Sequence, residues 1–371
     1  MAVCPACLNP TGRHAWTFLC DGCLAGWSIK DEIPTLNDGL VMCSMSGPLE
    51  HGELGQLVAS AESNGWQQAL YEYNSVKVAR GAAPEEDQRL ADWQYLVPLD
   101  RNTVVLVVGS GLGTVPLSFS ERVAAVYVVD PVWERVRFLR IRAVQQGIQN
   151  VFPFYTGGRF SLPFGAGSFH LVVLKSSVPW GAVDDTPRNQ RETSQIILKQ
   201  VHFLLRPGGK LSLVVGNGLS FLRLLSLIIR PAMWIPRSIE ALKSALGLGQ
   251  KVHLGSLIGE SSLLGYRKLL RAGGFTDLDV YAPLPSHTGV PLFSLPLNSG
   301  PARRHFFSHI FPLFEMVSPE VKRQYGLQYP IARLGVKLAL RFRLTAMVKY
   351  FVPGYSIIAT KKPGVGSVQE C

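Results

Sequence analysis

Four cysteines near the start of the chain have the spacing of metal ligands. Cys4 and Cys7 form one Cys-x-x-Cys pair, and Cys20 and Cys23 form a second pair after twelve intervening residues. Four thiolates on two such turns can close tetrahedrally around a zinc ion, and a segment this short has little core of its own. Because a closed four-thiolate site leaves no open coordination position, we expect the zinc to be structural. Four free cysteines without metal are the alternative.

A glycine-rich loop is the second feature of the sequence that could bind a ligand. The apolar, β-branched run at residues 103–108 is typical of a parallel strand buried on both faces, and Gly109, Ser110, Gly111 and Gly113 follow it at once. Glycines let the backbone turn sharply and let a ligand approach the amide groups that begin the next helix. The Gly-x-Gly-x-Gly spacing differs from the dinucleotide fingerprint Gly-x-Gly-x-x-Gly, whose last position is Thr114 here.

An acid ends the next predicted strand. Residues 124–129 form a second apolar run, which is followed by Asp130 and Pro131, and Asp130 comes twenty-one residues after Gly109. A carboxylate in this place can accept hydrogen bonds from both hydroxyls of a bound ribose. The glycine loop alone is a weak signal, but the strand before it and the acid after it make the pattern more specific.

Two further motifs carry a family resemblance. Residues 162–174, Leu-Pro-Phe-Gly-Ala-Gly-Ser-Phe-His-Leu-Val-Val-Leu, resemble the Leu-Pro-Phe…Ser-Phe-Asp-Leu-Val strand of class I S-adenosylmethionine (SAM)-dependent methyltransferases. Residues 205–209, Leu-Arg-Pro-Gly-Gly, match the turn before that family's fifth strand. The order and spacing of the motifs agree over residues 90–220, and the chain resembles a type-11 member of the family. The resemblance continues more weakly through residues 265–275 and 281–287.

The resemblance implies a cofactor and a site. It implies SAM bound over the C-terminal ends of the strands, with the cofactor-binding residues Gly109, Ser110, Gly111, Gly113, Asp130 and Pro131. The cysteine segment resembles the zinc-ribbon head of some bacterial methyltransferases, with an Ile-Pro strand end at residues 33–34. The expected activity is methyl transfer to a small-molecule or lipid- or glycan-linked biosynthetic acceptor. The alternatives are an rRNA or tRNA base methyltransferase, since some of these also join such a ribbon to this fold, and a noncatalytic binding subunit.

Three acids that the family usually has are absent. Val107 stands where an acid helps to hold the methionine end of the cofactor, Gly158 follows the third strand where an acid often binds the adenine amino group, and His170 replaces an Asp at the fourth strand. Each buried, hydrogen-bonded charge contact is worth roughly 1.5–3 kcal/mol. We therefore expect weakened cofactor affinity unless backbone groups substitute, and this keeps the noncatalytic alternative open.

The catalytic residues stay unassigned, because in-line methyl transfer depends largely on positioning and desolvation. The residues expected near the acceptor, after the fourth strand, are Lys175, Ser176, Ser177 and Trp180. Core packing is the alternative for the tryptophan. His253 and His287 lie in predicted loops and could act as general bases for an oxygen acceptor, or could simply be solvated.

The predicted fold class is α/β, with a Rossmann-like, seven-stranded methyltransferase sheet and helices on both faces. A zinc-ribbon-like domain is expected at residues 1–40, a helical connector or lid at 41–100, the SAM-dependent methyltransferase domain at 101–290 with an insertion at 219–260, and a basic, mostly helical C-terminal extension at 291–371. The connector includes helical spacing at 54–73 and a helix at 85–96.

The positive charge is concentrated in the second half of the chain. Residues 201–371 contain 21 Lys and Arg against 7 Asp and Glu, whereas residues 1–200 contain 16 against 19. Arginines and lysines are interleaved with aliphatic residues at 219–237 and 332–349, which favours peripheral contact with an anionic membrane. RNA is a weaker alternative, since no RNA-binding module is recognised. A hydrophobic cap over a lipid-like substrate and ordinary core packing are alternatives for 219–237, and a basic surface that serves only solubility is a further one. Without an export signal or a clean apolar span, the expected location is the cytoplasm, with peripheral membrane contact.

Overall fold

The structure is a computed structural model. It describes residues 11–14, 17–20, 26–35, 48–79, 88–157, 162, 164–175, 190–221, 261–284, 291, 293–311, 334–335, 337–338, 340–342 and 344–362. None of the helices in these ranges is long and apolar enough to cross a membrane.

The N-terminal segment forms a small antiparallel sheet. Its strands, in sheet order, are β1 (Thr11–His14), β2 (Thr17–Cys20), β3 (Gly26–Lys30) and β4 (Ile33–Pro34). Two helices follow, α1 (Pro48–Asn64) and α2 (Trp66–Ala79), and a 3₁₀ helix covers Gln88–Leu96. The helical spacing at 54–73 thus belongs to two helices, because the chain turns at Gly65, whose φ is +88°. The helix expected at 85–96 is the 3₁₀ helix, which begins at Gln88.

A large sheet forms the centre of the molecule. Its first strands in chain order are β5 (Val104–Val108), β6 (Ala125–Asp130), β7 (Val151–Tyr155), β8 (Phe169–Lys175) and β9 (Leu205–Gly216). They are followed by β10 (Phe275–Leu284), β11 (Phe293–Pro296) and β12 (Gly354–Lys361). The spatial order is β11-β10-β12-β9-β8-β5-β6-β7. The strands from β9 to β7 pair in parallel, whereas the contacts of β12 and β11 are antiparallel.

The described residues contribute eight strands to this sheet, so the predicted count of seven is wrong by one. The additional strand is β11, which pairs with the far half of β10 through four residues. It extends the edge of the sheet because the chain turns back after β10. Both β11 and β12 belong to the segment assigned from the sequence to a C-terminal extension, and β12 lies inside the sheet between β9 and β10.

Helices cover both faces of the sheet. The connecting helices are α3 (Thr114–Phe119), α4 (Trp133–Gln145), α5 (Gln190–Leu204), α6 (Leu263–Ala272), α7 (Gly300–His305) and α8 (Thr345–Val348), and a π-helical turn, Phe306–Ile310, continues α7. One core packs α5 and α6 against β9, β10 and β12. The other core packs α3, the 3₁₀ helix and part of α4 against β5 and β6. A third, smaller core joins α1 and α2 to α4.

Candidate functional site

The predicted glycine loop lies at the C-terminal end of β5. Gly109, Gly111 and Gly113 all have positive φ angles, +97°, +56° and +94°, a region that side-chain-bearing residues rarely adopt. The amide of Gly109 donates to the carbonyl of Val129 at the end of β6, 2.8 Å away. A Cβ atom on Gly113 would lie 3.1 Å from Leu117 and Leu139. Glycine is therefore required here both by the backbone conformation and by the close approach of α3 and α4.

Asp130 connects this loop to the end of the next strand. Its side chain is fully buried. Carboxylate oxygen Oδ2 accepts hydrogen bonds from the amide and the hydroxyl of Ser110, each at 2.7 Å, and Oδ1 accepts from the amide of Val132 at 2.9 Å. Because a carboxylate oxygen can accept two hydrogen bonds, Oδ1 keeps acceptor capacity beyond the Val132 amide. The loop and the acid, predicted separately, form one hydrogen-bonded unit.

A buried arginine holds the loop from the side of α4. Nη1 of Arg142 donates to the carbonyl of Leu112, between the last two glycines, at 3.0 Å. The guanidinium also lies over the ring of Trp66, the first residue of α2, at 4.3 Å from the ring centroid. Gln145, one turn later on α4, accepts from the amide of Trp66 and donates to the carbonyl of Ala61. Sequence reasoning missed Arg142, whose partners are 30 and 76 residues away.

The helical hairpin of α1 and α2 covers the loop. Leu112 and Val132, on either side of Asp130, are buried in the same apolar cluster as Leu57 and Leu70 of the hairpin. This is the place in which the sequence predicts a connector or lid. The hairpin therefore shields one side of the glycine loop from water and is tied to it through Arg142.

The N-terminal sheet also reaches this edge of the molecule. Thr35, just after β4, forms a parallel bridge with Tyr155 at the end of β7. Glu32 forms an ion pair with Arg140 of α4. Lys30 lies 4.9 Å from the ring centroid of Trp133, which begins α4 three residues after Asp130. The small sheet thus extends the large one beside the glycine loop.

Two of the three absent acids can be placed. Val107 is fully buried in the apolar core that includes α3. His170 lies at the opposite, N-terminal edge of the sheet, and its Nδ1 accepts from the amide of Val104 at 3.1 Å while Arg206 contacts its Nε2. Burial, and then the charge of Arg206, hold the pKa of His170 below its usual range, although Asp100 opposes this. His170 is therefore remote from the glycine loop, at the other end of the sheet, and the expected weakening of cofactor affinity stays a prediction.

Several predicted positions lie outside the described residues, namely Cys4, Cys7, Cys23, Gly158, Ser176, Ser177, Trp180, His253 and His287. Lys175 is the last residue of β8. Cys20 ends β2, where it pairs with Thr11. Among the residues that the structure describes, no group of three or more His, Cys, Asp and Glu could hold a metal ion.

Comparison with known proteins gives a family match over the part of the chain that contains this loop. Residues 106–213 match a family described as a methyltransferase domain. No curated protein matches the chain.

Solved structures with a similar arrangement include the YcgJ protein of Bacillus subtilis, 16% identical, with a TM-score of 0.38 over 74% of this chain and 99% of that chain. Another is phosphoethanolamine N-methyltransferase 2 of Haemonchus contortus in a complex with S-adenosylhomocysteine, 16% identical, with a TM-score of 0.41 over 82% of this chain and 59% of that chain. A third is the cyclase SpnF, 17% identical, with a TM-score of 0.38 over 75% of this chain and 82% of that chain.

The matched residues run from β5 to β9 and include the glycine loop, Asp130 and the parallel half of the sheet. Over these residues the chain is therefore similar to a methyltransferase domain, and this part of it is built on the parallel strands of an α/β sheet.

Proposed function

We propose that the protein is an active methyltransferase that binds SAM at the glycine loop and methylates a small-molecule or lipid- or glycan-linked acceptor. The observation that carries the proposal is the hydrogen-bonded unit of Asp130 and Ser110. It is buried, it joins the ends of β5 and β6, and it lies within the residues that match the methyltransferase family. When bound, SAM supplies an electrophilic methyl group.

The protein's own groups would bind and orient the cofactor. Oδ1 of Asp130 retains the acceptor capacity that a ribose hydroxyl needs. The left-handed glycines let a ligand approach the loop backbone without meeting a side chain. The hairpin of α1 and α2 would exclude water from this side, and exclusion of water strengthens the electrostatic contacts within a site.

Calorimetric titration with SAM and with S-adenosylhomocysteine tests the cofactor site. We expect both to bind the wild-type protein, and Asp130→Asn to weaken binding by about tenfold or more, because an amide cannot accept at both positions. Glu121→Gln is the matched acid-to-amide control, since Glu121 is exposed after α3. Circular dichroism of each variant separates lost binding from lost folding. A wild-type protein that bound neither compound would overturn the proposal.

The acceptor class rests on an exposed apolar row near the C-terminus. Leu334, Leu338 and Phe342 recur every four residues and are 57%, 46% and 63% exposed. Lys337 and Arg341 each precede a member of this row. On a helical segment this spacing puts the apolar groups on one side with cations beside them, a pattern suited to the interface of an anionic membrane. A membrane-bound protein would meet a lipid-linked acceptor directly.

Two assays test the proposed membrane contact and the proposed acceptor class. In flotation with phosphatidylglycerol vesicles, we expect the wild-type protein to bind, and a variant with serine at the three row positions to lose binding while keeping SAM affinity. Serine at Leu264, an equally exposed leucine on α6, is the control. With SAM labelled in the methyl group, label should enter lipid or small-molecule fractions. Label confined to RNA would contradict the acceptor class, and SAM binding without any transfer would indicate the noncatalytic alternative.

We also propose that the N-terminal segment binds one structural zinc ion through Cys4, Cys7, Cys20 and Cys23. The support is topological: the antiparallel pairing of β1 and β2 puts Thr11 opposite Cys20, so β1 begins at the end of the hairpin where Cys20 lies. Thiolate sulfurs are ligands that zinc prefers. Metal analysis of the purified protein should give about one zinc per chain, and serine at Cys20 should remove it.

A further inference from the structure

A cavity on the far side of the molecule has a strongly positive lining. It has a volume of about 430 Å³ and lies between α6, the start of β10, the turn after β11, and α7. The charged and amide side chains that line it are Arg267, Arg271, Arg303, Lys349, Asp277 and Asn298. Among the described residues, four cations thus face a single carboxylate. Within the described ranges, no ion pair neutralises any of the four.

Arg303 shows that the cavity is built rather than a chance grouping of surface cations. Only 8% of this residue is exposed. Its Nη1 donates to the carbonyl of Leu297, but its buried Nε has no hydrogen-bond partner among the residues that the structure describes. A buried donor of a charged group is costly to leave unpaired. An anion in the cavity would supply the missing negative charge.

The other cations are held in place around it. Arg267 and Arg271 are four residues apart and therefore lie on the same side of α6, where like charges repel in the absence of a counterion. Nη2 of Arg267 donates to Oδ1 of Asn298 at 3.2 Å, and Nδ2 of Asn298 donates to the carbonyl of Leu278 at 2.7 Å. The asparagine thereby orients one guanidinium toward the shared cavity.

The position of the cavity separates it from the glycine loop. In the order of the sheet, β12, β9 and β8 stand between β10 and β5. Four strand spacings of about 4.8 Å separate β10 from β5 by about 19 Å across the sheet. Lys349 directly follows α8. The apolar side chains of Met347 and Phe351, on either side of Lys349 in the chain, are exposed. The cavity therefore opens beside a second apolar region of the C-terminal segment.

We propose that this cavity binds a phosphate group. Planar guanidinium groups match the paired oxygens of a phosphate, and an excess of three positive charges suits a dianion better than a carboxylate. The phosphate belongs either to a lipid headgroup or to a soluble phosphate ester. The site is independent of the proposed SAM site, so SAM affinity is the internal control for every variant.

Calorimetry with glycerol 3-phosphate, and flotation with phosphatidylcholine vesicles that contain or lack phosphatidic acid, test the proposal. Replacing both Arg267 and Arg271 by glutamine should weaken binding by about tenfold or more, because each contact is a charge-assisted hydrogen bond. Lys268→Gln removes an exposed cation from the same helix outside the cavity and should have little effect. Asp277→Asn should tighten binding, since it removes the one carboxylate, and asparagine tolerates the φ of +39° at this position.

The outcomes separate the sources of the phosphate. Binding of glycerol 3-phosphate that the double variant weakens supports the site and assigns a soluble ester. Binding only to phosphatidic acid vesicles, with the same response to the variants, supports the site and assigns a lipid headgroup. Absence of binding in both arms would overturn the proposal, and so would equal losses in the double variant and in Lys268→Gln, which would indicate unspecific attraction to the basic surface.

Discussion

Replacement of Arg142 by methionine tests whether α4 and α2 hold the glycine loop in place. Arg142 is 6% exposed, donates to the carbonyl of Leu112 and lies over the ring of Trp66. Methionine keeps the apolar stem of the side chain but removes both contacts. The loop would then keep its glycines and its bonds to Asp130, and would lose its tie to the hairpin.

The magnitude follows from the two contacts. A hydrogen bond from a charged donor contributes roughly 1.5–3 kcal/mol, and a desolvated cation–π contact contributes about 1–2 kcal/mol. The substitution also relieves the cost of burying the guanidinium, which opposes part of this loss. We therefore expect the free energy of unfolding to fall by about 2–3 kcal/mol, and SAM affinity to fall with it because the loop carries the proposed cofactor contacts.

The assay pairs urea unfolding with calorimetric SAM titration at a temperature where every variant is folded. Arg140→Met is the control on the same helix, because Arg140 forms a surface ion pair with Glu32 worth about 0–1 kcal/mol. A double-mutant cycle with Trp66→Leu should give a coupling energy near 1 kcal/mol. If Arg142→Met changed stability by less than about 0.5 kcal/mol and left SAM affinity unchanged, Arg142 would not position the loop.

Three further predictions concern the loop, the far edge of the sheet and the N-terminal segment. Gly113→Ala should destabilise the protein by roughly 1–3 kcal/mol in urea unfolding, because φ is +94° and two methyl groups lie 3.1 Å from the new Cβ. Gly52→Ala, inside α1 with open space around it, should instead raise stability slightly. Since folding lowers the pKa of His170, stability from this residue is present above about pH 6.5 and is lost as the pH falls through its lower folded-state pKa. In His170→Asp, the carboxylate can still accept from the Val104 amide, and the free energy of unfolding should depend less on pH below about pH 6.5. An unchanged pH dependence would show that the protonation of His170 does not contribute to stability. Chelation of zinc should lower the melting temperature of the wild-type protein and not that of Cys20→Ser.

The elements that the sequence predicted best are those whose burial produces a recognisable run of apolar residues along the chain. The runs that became β5 and β6 are apolar at almost every position because both faces of these strands are covered, so they stand out without any knowledge of their partners. The glycines and Asp130 follow these strands directly, and the carboxyl ends of parallel neighbours meet at one edge. The position of the candidate site could therefore be predicted.

The hydrogen bonds that join the residues of the candidate site could not be predicted from the sequence. Ser110 and Asp130 are twenty residues apart, and nothing in their spacing shows that a hydroxyl bonds to the carboxylate. The hydrogen bond from Arg142 to the carbonyl of Leu112 likewise joins two residues whose spacing does not indicate a contact. The place of His170 could not be predicted for a related reason, because the motif aligns this residue with an acid but does not show at which end of the sheet its side chain lies.

The position of β12 within the sheet could not be predicted from its position in the chain. The basic composition of residues 291–371 suggested an appended extension, yet the strand near its end inserts between β9 and β10. A strand in that position needs antiparallel partners on both sides, and its own sequence carries only a buried apolar run that would suit any interior strand. Because β12 pairs with a strand on each side, the residues directly before it are held against the sheet. Lys349, five residues before β12, is thereby held beside the arginines of α6 and α7, so the cation cluster is a consequence of the topology of the sheet.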